Sequence, residues 1–286
     1  MKLSNILFYF FIFLTQIACQ SNKEFESPPQ YNLNKPTIYK LPKALNEISG
    51  IAFSSDRNDL LYAIQDESGL LYEYDLENSR AKEFKFSKKG DFEDIAISDE
   101  LIIVLKSNGT LYTFPLNNVV SNQETNVKDV KELEDILPKG EYEGLYMDNA
   151  NRNLYVLCKN CSGDKEEKKT SGYILSVEPK GQITQNGQFS INVEDIKRLA
   201  KVEKMHFQPS ALTKNKETNE WYIISSANNA FVITDASWAV KAVYPLPKSS
   251  FRQPEGICFD SQNNLYISNE KANGSSGNVL KFLLKK

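Results

Sequence analysis

The stretch Asn46-Glu47-Ile48-Ser49-Gly50-Ile51-Ala52-Phe53 decides the fold, because it returns four times in altered form. The later copies are Phe92-Glu93-Asp94-Ile95-Ala96-Ile97, Tyr142-Glu143-Gly144-Leu145-Tyr146-Met147-Asp148, Gln208-Pro209-Ser210-Ala211-Leu212 and Gln253-Pro254-Glu255-Gly256-Ile257-Cys258-Phe259-Asp260. Measured between Glu47, Glu93, Glu143, Ser210 and Glu255, the intervals are 46, 50, 67 and 45 residues. Repeats of roughly 40 to 50 residues that each hold several strands are the signature of propeller blades.

Working outward, the first repeat reads as a four-stranded meander: Gly50 to Ser54, Leu60 to Gln65, Leu70 to Asp75 and Ala81 to Phe86, separated by Asp-, Asn-, Ser- and Gly-rich turns. The second repeats it with an Asn108-Gly109 hairpin. Its fourth strand is obscure, and a short helix is expected near Val130 to Ile136. In the third, apolar residues at 193, 196, 199 and 202 predict a short amphipathic helix that accounts for the long interval. The fifth repeat ends one strand short, while Thr37 to Leu41 is a strand without a unit. Placing it on the last blade closes the ring and protects the edges. The expected fold is an all-β propeller of five four-stranded blades, the N-terminal strand completing the last, with six blades as the alternative.

The ends of the chain are different in kind. Met1-Lys2 precedes an apolar run from Leu3 to Ala18, too short for the roughly 20 residues of a spanning helix and suited to an export signal. Gln16-Ile17-Ala18-Cys19 resembles a bacterial lipoprotein signal, which makes Cys19 the lipidated first residue of the mature protein; an uncleaved anchor or an ordinary signal is the other reading. The expected divisions are a signal peptide over 1–18, lipidated Cys19 and a flexible polar tether over 19–34, and the propeller over 35–286. The lipid would tie the protein to a membrane of the cell envelope, at the periplasmic face or the cell surface.

With 34 basic against 37 acidic residues and no basic stripe, nucleic acid is excluded as a partner; a monomer that meets a protein or small-molecule ligand is expected. Cys158 and Cys161 have the spacing of a small disulfide in an oxidising compartment, while zinc would need further ligands and the chain has one histidine, His206. Recurrent Tyr62, Tyr72, Tyr112, Tyr155, Tyr222 and Tyr266 are expected to pack between blades.

The five phrases, taken in order, resemble the SdiA-regulated (YjiK-like) domain family of bacterial exported β-propellers, over about Thr37 to Leu284. The resemblance implies an exported or membrane-attached protein, with calcium binding as a family trait.

In a propeller the first strand of each blade lines the channel, so Glu47, Glu93, Glu143 and Glu255 are expected to converge, with Ser210 at the fifth place. Converging carboxylates need raised pKa values, cationic partners or a bound cation. Ca²⁺ suits an irregular all-oxygen shell, which Gln208 and Ser210 could complete. The alternative is a latch in which each Glu accepts backbone N–H groups of the next blade. Lys106 and Lys159 could supply balancing charge, and with Gln208, Ser210 and His206 would make a ligand-binding mouth. No GxSxG elbow, HExxH helix or P-loop occurs. The leading expectation is a non-enzymatic binding module with a Ca²⁺-like site; the other is a metal-dependent hydrolase of a phosphoester, lactone or glycan.

Overall fold

The computed structural model describes residues 24–54, 57–120, 125–179, 181–272 and 274–285. The expected export signal, Cys19 and the first part of the tether lie outside the described residues. Five antiparallel sheets of four strands each form a ring. Blade 1 is Ile48–Ser54, Arg57–Gln65, Ser68–Asp75 and Arg80–Lys89. Blade 2 is Phe92–Ile97, Leu101–Lys106, Leu111–Pro115 and Lys131–Leu133. Blade 3 is Gly140–Asp148, Asn153–Cys161, Lys169–Val177 and Ile183–Asn192, and blade 4 is Ala211–Asn215, Glu220–Ser225, Ala230–Thr234 and Val240–Pro245. Blade 5 takes Pro254–Phe259, Leu265–Asn269 and Asn278–Phe282 from the C-terminal end and Thr37–Lys40 from the N-terminal end, with Thr37 opposite Lys281 and Lys40 opposite Asn278. The closure is the one the spare strand predicted.

The core is divided into five apolar clusters, one per seam between neighbouring blades. Tyr62, Tyr72, Tyr112, Tyr222 and Tyr266 are buried in these seams, and Tyr155 meets Trp221 at 4.5 Å across the seam of blades 3 and 4. Turns that end the inner strands are fixed by side chains imitating backbone acceptors: Asn215 Oδ1 accepts from Glu217 and Thr218 N–H, and Asp260 Oδ1 from Gln262 and Asn264 N–H. After blade 3 the helix Val193–Ala200 begins at Asn192, whose side chain accepts from Glu194 and Asp195 N–H.

Two expectations are corrected. The region of Val130 to Ile136 is not helical; Lys131–Leu133 is the missing fourth strand of blade 2, too short for its alternation to register in the sequence. The described part of the tether, residues 24–34, is docked. Tyr31 and Leu33 are fully buried between blades 4 and 5, Phe25 packs on Phe251, and the Tyr31 hydroxyl donates to Asn263 O at 2.7 Å. Three apolar side chains spaced along a polar segment suffice, because each drops into a seam already lined with aromatics.

Candidate functional site

The site is built by one backbone irregularity repeated around the channel. In blade 2 the pairing of inner and second strands shifts between Phe92 and Asp94, in blade 3 between Tyr142 and Gly144, and in blade 5 between Pro254 and Gly256. The skipped residues are Glu93, Glu143 and Glu255. Each occupies a β-bulge, the device that bends a strand and re-aims a side chain. In blade 4 Ser210 takes this place, its N–H donating to Ile224 O just ahead of the Ala211–Ile224 pair. In blade 1 the shift spans Ile48 to Ile51, so the place belongs to Ser49 and Glu47 stands two residues upstream. The expected ring of four glutamates is therefore three, and Glu47 belongs to a second group.

Glu93, Glu143 and Glu255 feel one another's charge. Burial, with the charges of Glu143 and Asp91 added, pushes Glu93 up to about 9 against the pull of Lys159. Glu143 is buried and is raised to about 7 by that burial, even though Lys159 Nζ donates to its Oε1 at 2.5 Å. Lys159 also lies 3.7 Å from Glu141 Oε1. Burial raises Glu255 too, against hydrogen bonds from Ser210, Ser226 and Gln253. Ser210, one of the two serines that interrupt the acidic pattern, thus serves the neighbouring acid.

The second group is Glu47, Asp66 and Glu270, each offering a carboxylate oxygen, all three within 4.8 Å of one another. Asp66 and Glu270 follow the second strands of blades 1 and 5: Asp66 N–H donates to Glu47 O, and Glu270 N–H to Gln253 O at 3.0 Å. Burial raises both carboxyls, Glu270 to about 8 with help from the charges of Glu255 and Asp66. Lys271 pairs with Glu47, and Gln253 Nε2 donates to Glu270 Oε2. Asp66 Oδ1 is buried without a hydrogen-bond partner. Lys159 holds the corresponding place in blade 3, near the end of the second strand Asn153–Cys161.

The other predicted residues divide. His206 is exposed, and its backbone carbonyl, not its ring, accepts from Asn228. Gln208 is held through its backbone, its N–H donating to Asn228 Oδ1 and its carbonyl accepting from Ser225 Oγ. Lys106 is half-buried at the end of its strand, and no carboxylate pairs with it among the described residues. Cys158 and Cys161 are joined in a disulfide that brackets Lys159, and Cys258 is a buried free thiol.

The latch between blades is made by Asp94, beside the glutamate. Its Oδ1 accepts from Ile95 N–H at 2.8 Å and its Oδ2 from Leu145 N–H of blade 3 at 2.7 Å. A Cβ on Gly50 would stand 2.3 Å from Asp94 Oδ1, and one on Gly256 2.6 Å from Ser49 O, so these glycines let neighbouring inner strands close on one another.

Comparison with known proteins agrees with this architecture. Among solved structures the chain is similar to glutaminyl cyclase of Myxococcus xanthus, at 13% identity and TM-score 0.56 over 87% of this chain and 94% of that one. It is similar to a luciferin-regenerating enzyme, at 10% identity and TM-score 0.52 over 87% and 95%. It is similar also to regucalcin of Agrobacterium tumefaciens strain C58, at 12% identity and TM-score 0.51 over 91% and 96%. These likenesses show the fold alone. No curated protein matches the sequence. The model of the SdiA-regulated family matches residues 27–273, from the docked N-terminal segment to the last blade. The chain belongs to the SdiA-regulated family.

Proposed function

We propose that this protein is a monomeric lipoprotein of the cell envelope, a non-enzymatic propeller that binds a divalent cation at its acidic mouth and meets a protein or small ligand there. The observation that carries the cation is the Glu47, Asp66 and Glu270 group, with Asp66 Oδ1 buried and unpartnered. A buried acceptor without a donor is costly unless something binds it. The donors are all oxygen, which suits a hard cation such as Ca²⁺ over zinc. Glu47, Asp66 and Glu270 would hold the ion, which would supply the positive charge that Lys271 supplies to Glu47 alone. Regucalcin's description as a calcium-binding protein is consistent with this, but the reading rests on the carboxylates. The apolar run from Leu3 to Ala18 and Cys19 support the envelope location, as does a disulfide between Cys158 and Cys161.

Calorimetric titration of the metal-free mature protein with Ca²⁺ tests the reading. Saturable binding is expected, with Asp66→Asn and Glu270→Gln each weakening it at least tenfold, about 1.4 kcal/mol. A melting temperature unmoved between chelator and Ca²⁺, with no binding heat, would remove the cation.

A further inference from the structure

The far half of the channel holds a cavity of about 340 Å³, at the small end of the range for ligand sites. Its lining follows the repeat. One apolar side chain per blade, Ile51, Ile95, Leu145, Leu212 and Ile257, comes first along the inner strands. Two residues further on stand Phe53, Ile97, Met147, Lys214 and Phe259. Four of these five are apolar; in blade 4 the place is taken by Lys214.

A cation set among apolar side chains loses hydration and needs an anion. Lys214 is half-buried, and among the described residues no carboxylate pairs with it; its Nζ rests 5.4 Å from the centre of the Trp221 ring. The other charges lining the cavity do not answer it. Asp260 is occupied by Gln262 and Asn264 N–H, Asn264 Nδ2 and the Tyr266 hydroxyl, with Lys281 at 3.9 Å. Lys216 and Glu217 are exposed and of opposite sign. A second unanswered group lines the same space: Asn149 Oδ1 is buried with no hydrogen-bond partner.

We propose that this cavity binds a small carboxylate with an apolar body, its anion held by Lys214 and its ring or chain lying among Phe53, Ile97, Met147 and Phe259. A ligand carrying a hydroxyl or N–H donor can also satisfy Asn149 Oδ1. The site lies at the opposite end of the channel from the acidic mouth and is independent of any cation there.

Phenylacetate and its neutral analogue 2-phenylethanol separate the anion from the ring. Calorimetry in chelator, with tryptophan fluorescence reporting the shift of Lys214 from Trp221, is expected to show phenylacetate binding at least tenfold more tightly. Lys214→Gln should erase that preference while leaving 2-phenylethanol unchanged. Met147→Trp, which fills the cavity, should abolish binding of both; its melting curve checks that it folds, and the Lys214→Gln comparison stands without it. The proposal is overturned if phenylacetate does not bind saturably, if both compounds bind alike to the unaltered protein, or if a folded Met147→Trp variant binds phenylacetate normally.

Discussion

The two ends of the channel are made by the same five strands and differ in almost everything else. At the mouth, bulges turn Glu93, Glu143 and Glu255 inward, and Asp66 and Glu270 join Glu47 from the turns beyond the second strands. Four residues beyond the bulge, about 13 Å along an extended strand, the repeat offers Phe53, Ile97, Met147 and Phe259. Blades 1 and 4 break the acidic ring with Ser49 and Ser210, and blade 4 alone also breaks the apolar one, with Lys214. The difference teaches that near-identical strands give near-symmetric rings, whereas each departure in one blade gives the channel a direction. At the mouth the departure in blade 4 supplies a hydrogen bond to Glu255; at the far end it sets a cation against the Trp221 ring with no carboxylate paired to it among the described residues.

The largest expected effect comes from Asp94, which stands between the two ends. Its carboxylate satisfies two backbone N–H groups on adjoining blades, and burial pushes that carboxyl well above the usual range. Asp94→Ala would leave both donors unpaired and open space beside Gly50. A loss of about 2–4 kcal/mol is expected in urea unfolding. A loss under about 0.5 kcal/mol would show that the blades do not need the latch and that mouth and cavity are joined only by the chain.

Much of this was legible in the sequence, and the misses have physical causes. The period and the spare Thr37–Lys40 strand gave five blades because turn residues and alternation survive in single sequences. Glu47 aligns with the other glutamates in the sequence because a repeated Glu makes a convenient ruler, while Gly50 is the better one: close packing fixes a glycine's place, and a carboxylate at a strand's edge can be moved by two residues. Asp94 does not stand out in the sequence because a buried Asp and an exposed one look alike until its donors are seen. Phe25, Tyr31 and Leu33 look like tether in the sequence because three anchors carry no periodicity. Glu270 meets Glu47 and Asp66 only through the ring's closure, which joins turns about 200 residues apart in sequence.

A smaller effect should separate the two ends directly. The Cys158–Cys161 disulfide brackets Lys159, the cation that answers Glu143. A loop this short contributes roughly 2 kcal/mol through the unfolded chain. Replacing both cysteines by serine should lower stability by about that amount and strengthen calcium binding at the mouth, as Lys159 loses its fixed position beside Glu143 and competes less with the ion for the acids. Phenylacetate affinity at the far end should not move. A parallel change in both ligands would mean that the ends are coupled through blade 3.

The smallest expected effect is the pH dependence, which belongs to the mouth alone. Folding raises Glu143 to about 7, Glu270 to about 8 and Glu93 to about 9, so in each case the folded protein favours the protonated acid. A carboxyl whose folded value lies above its unfolded one stabilises the fold at low pH, and that contribution is lost as pH rises through the folded value. In chelator the melting temperature should therefore fall between about pH 5 and pH 9, by a few degrees for each kcal/mol lost. Calcium should oppose the fall, because an ion favours the ionised carboxylates and binds more tightly as pH rises. Glu93→Gln should flatten the profile, and Lys214→Gln should leave its shape unchanged. A melting temperature that rises over that range in chelator would mean that Lys159 and Lys271 outweigh burial, and that the mouth holds its negative charge without an ion.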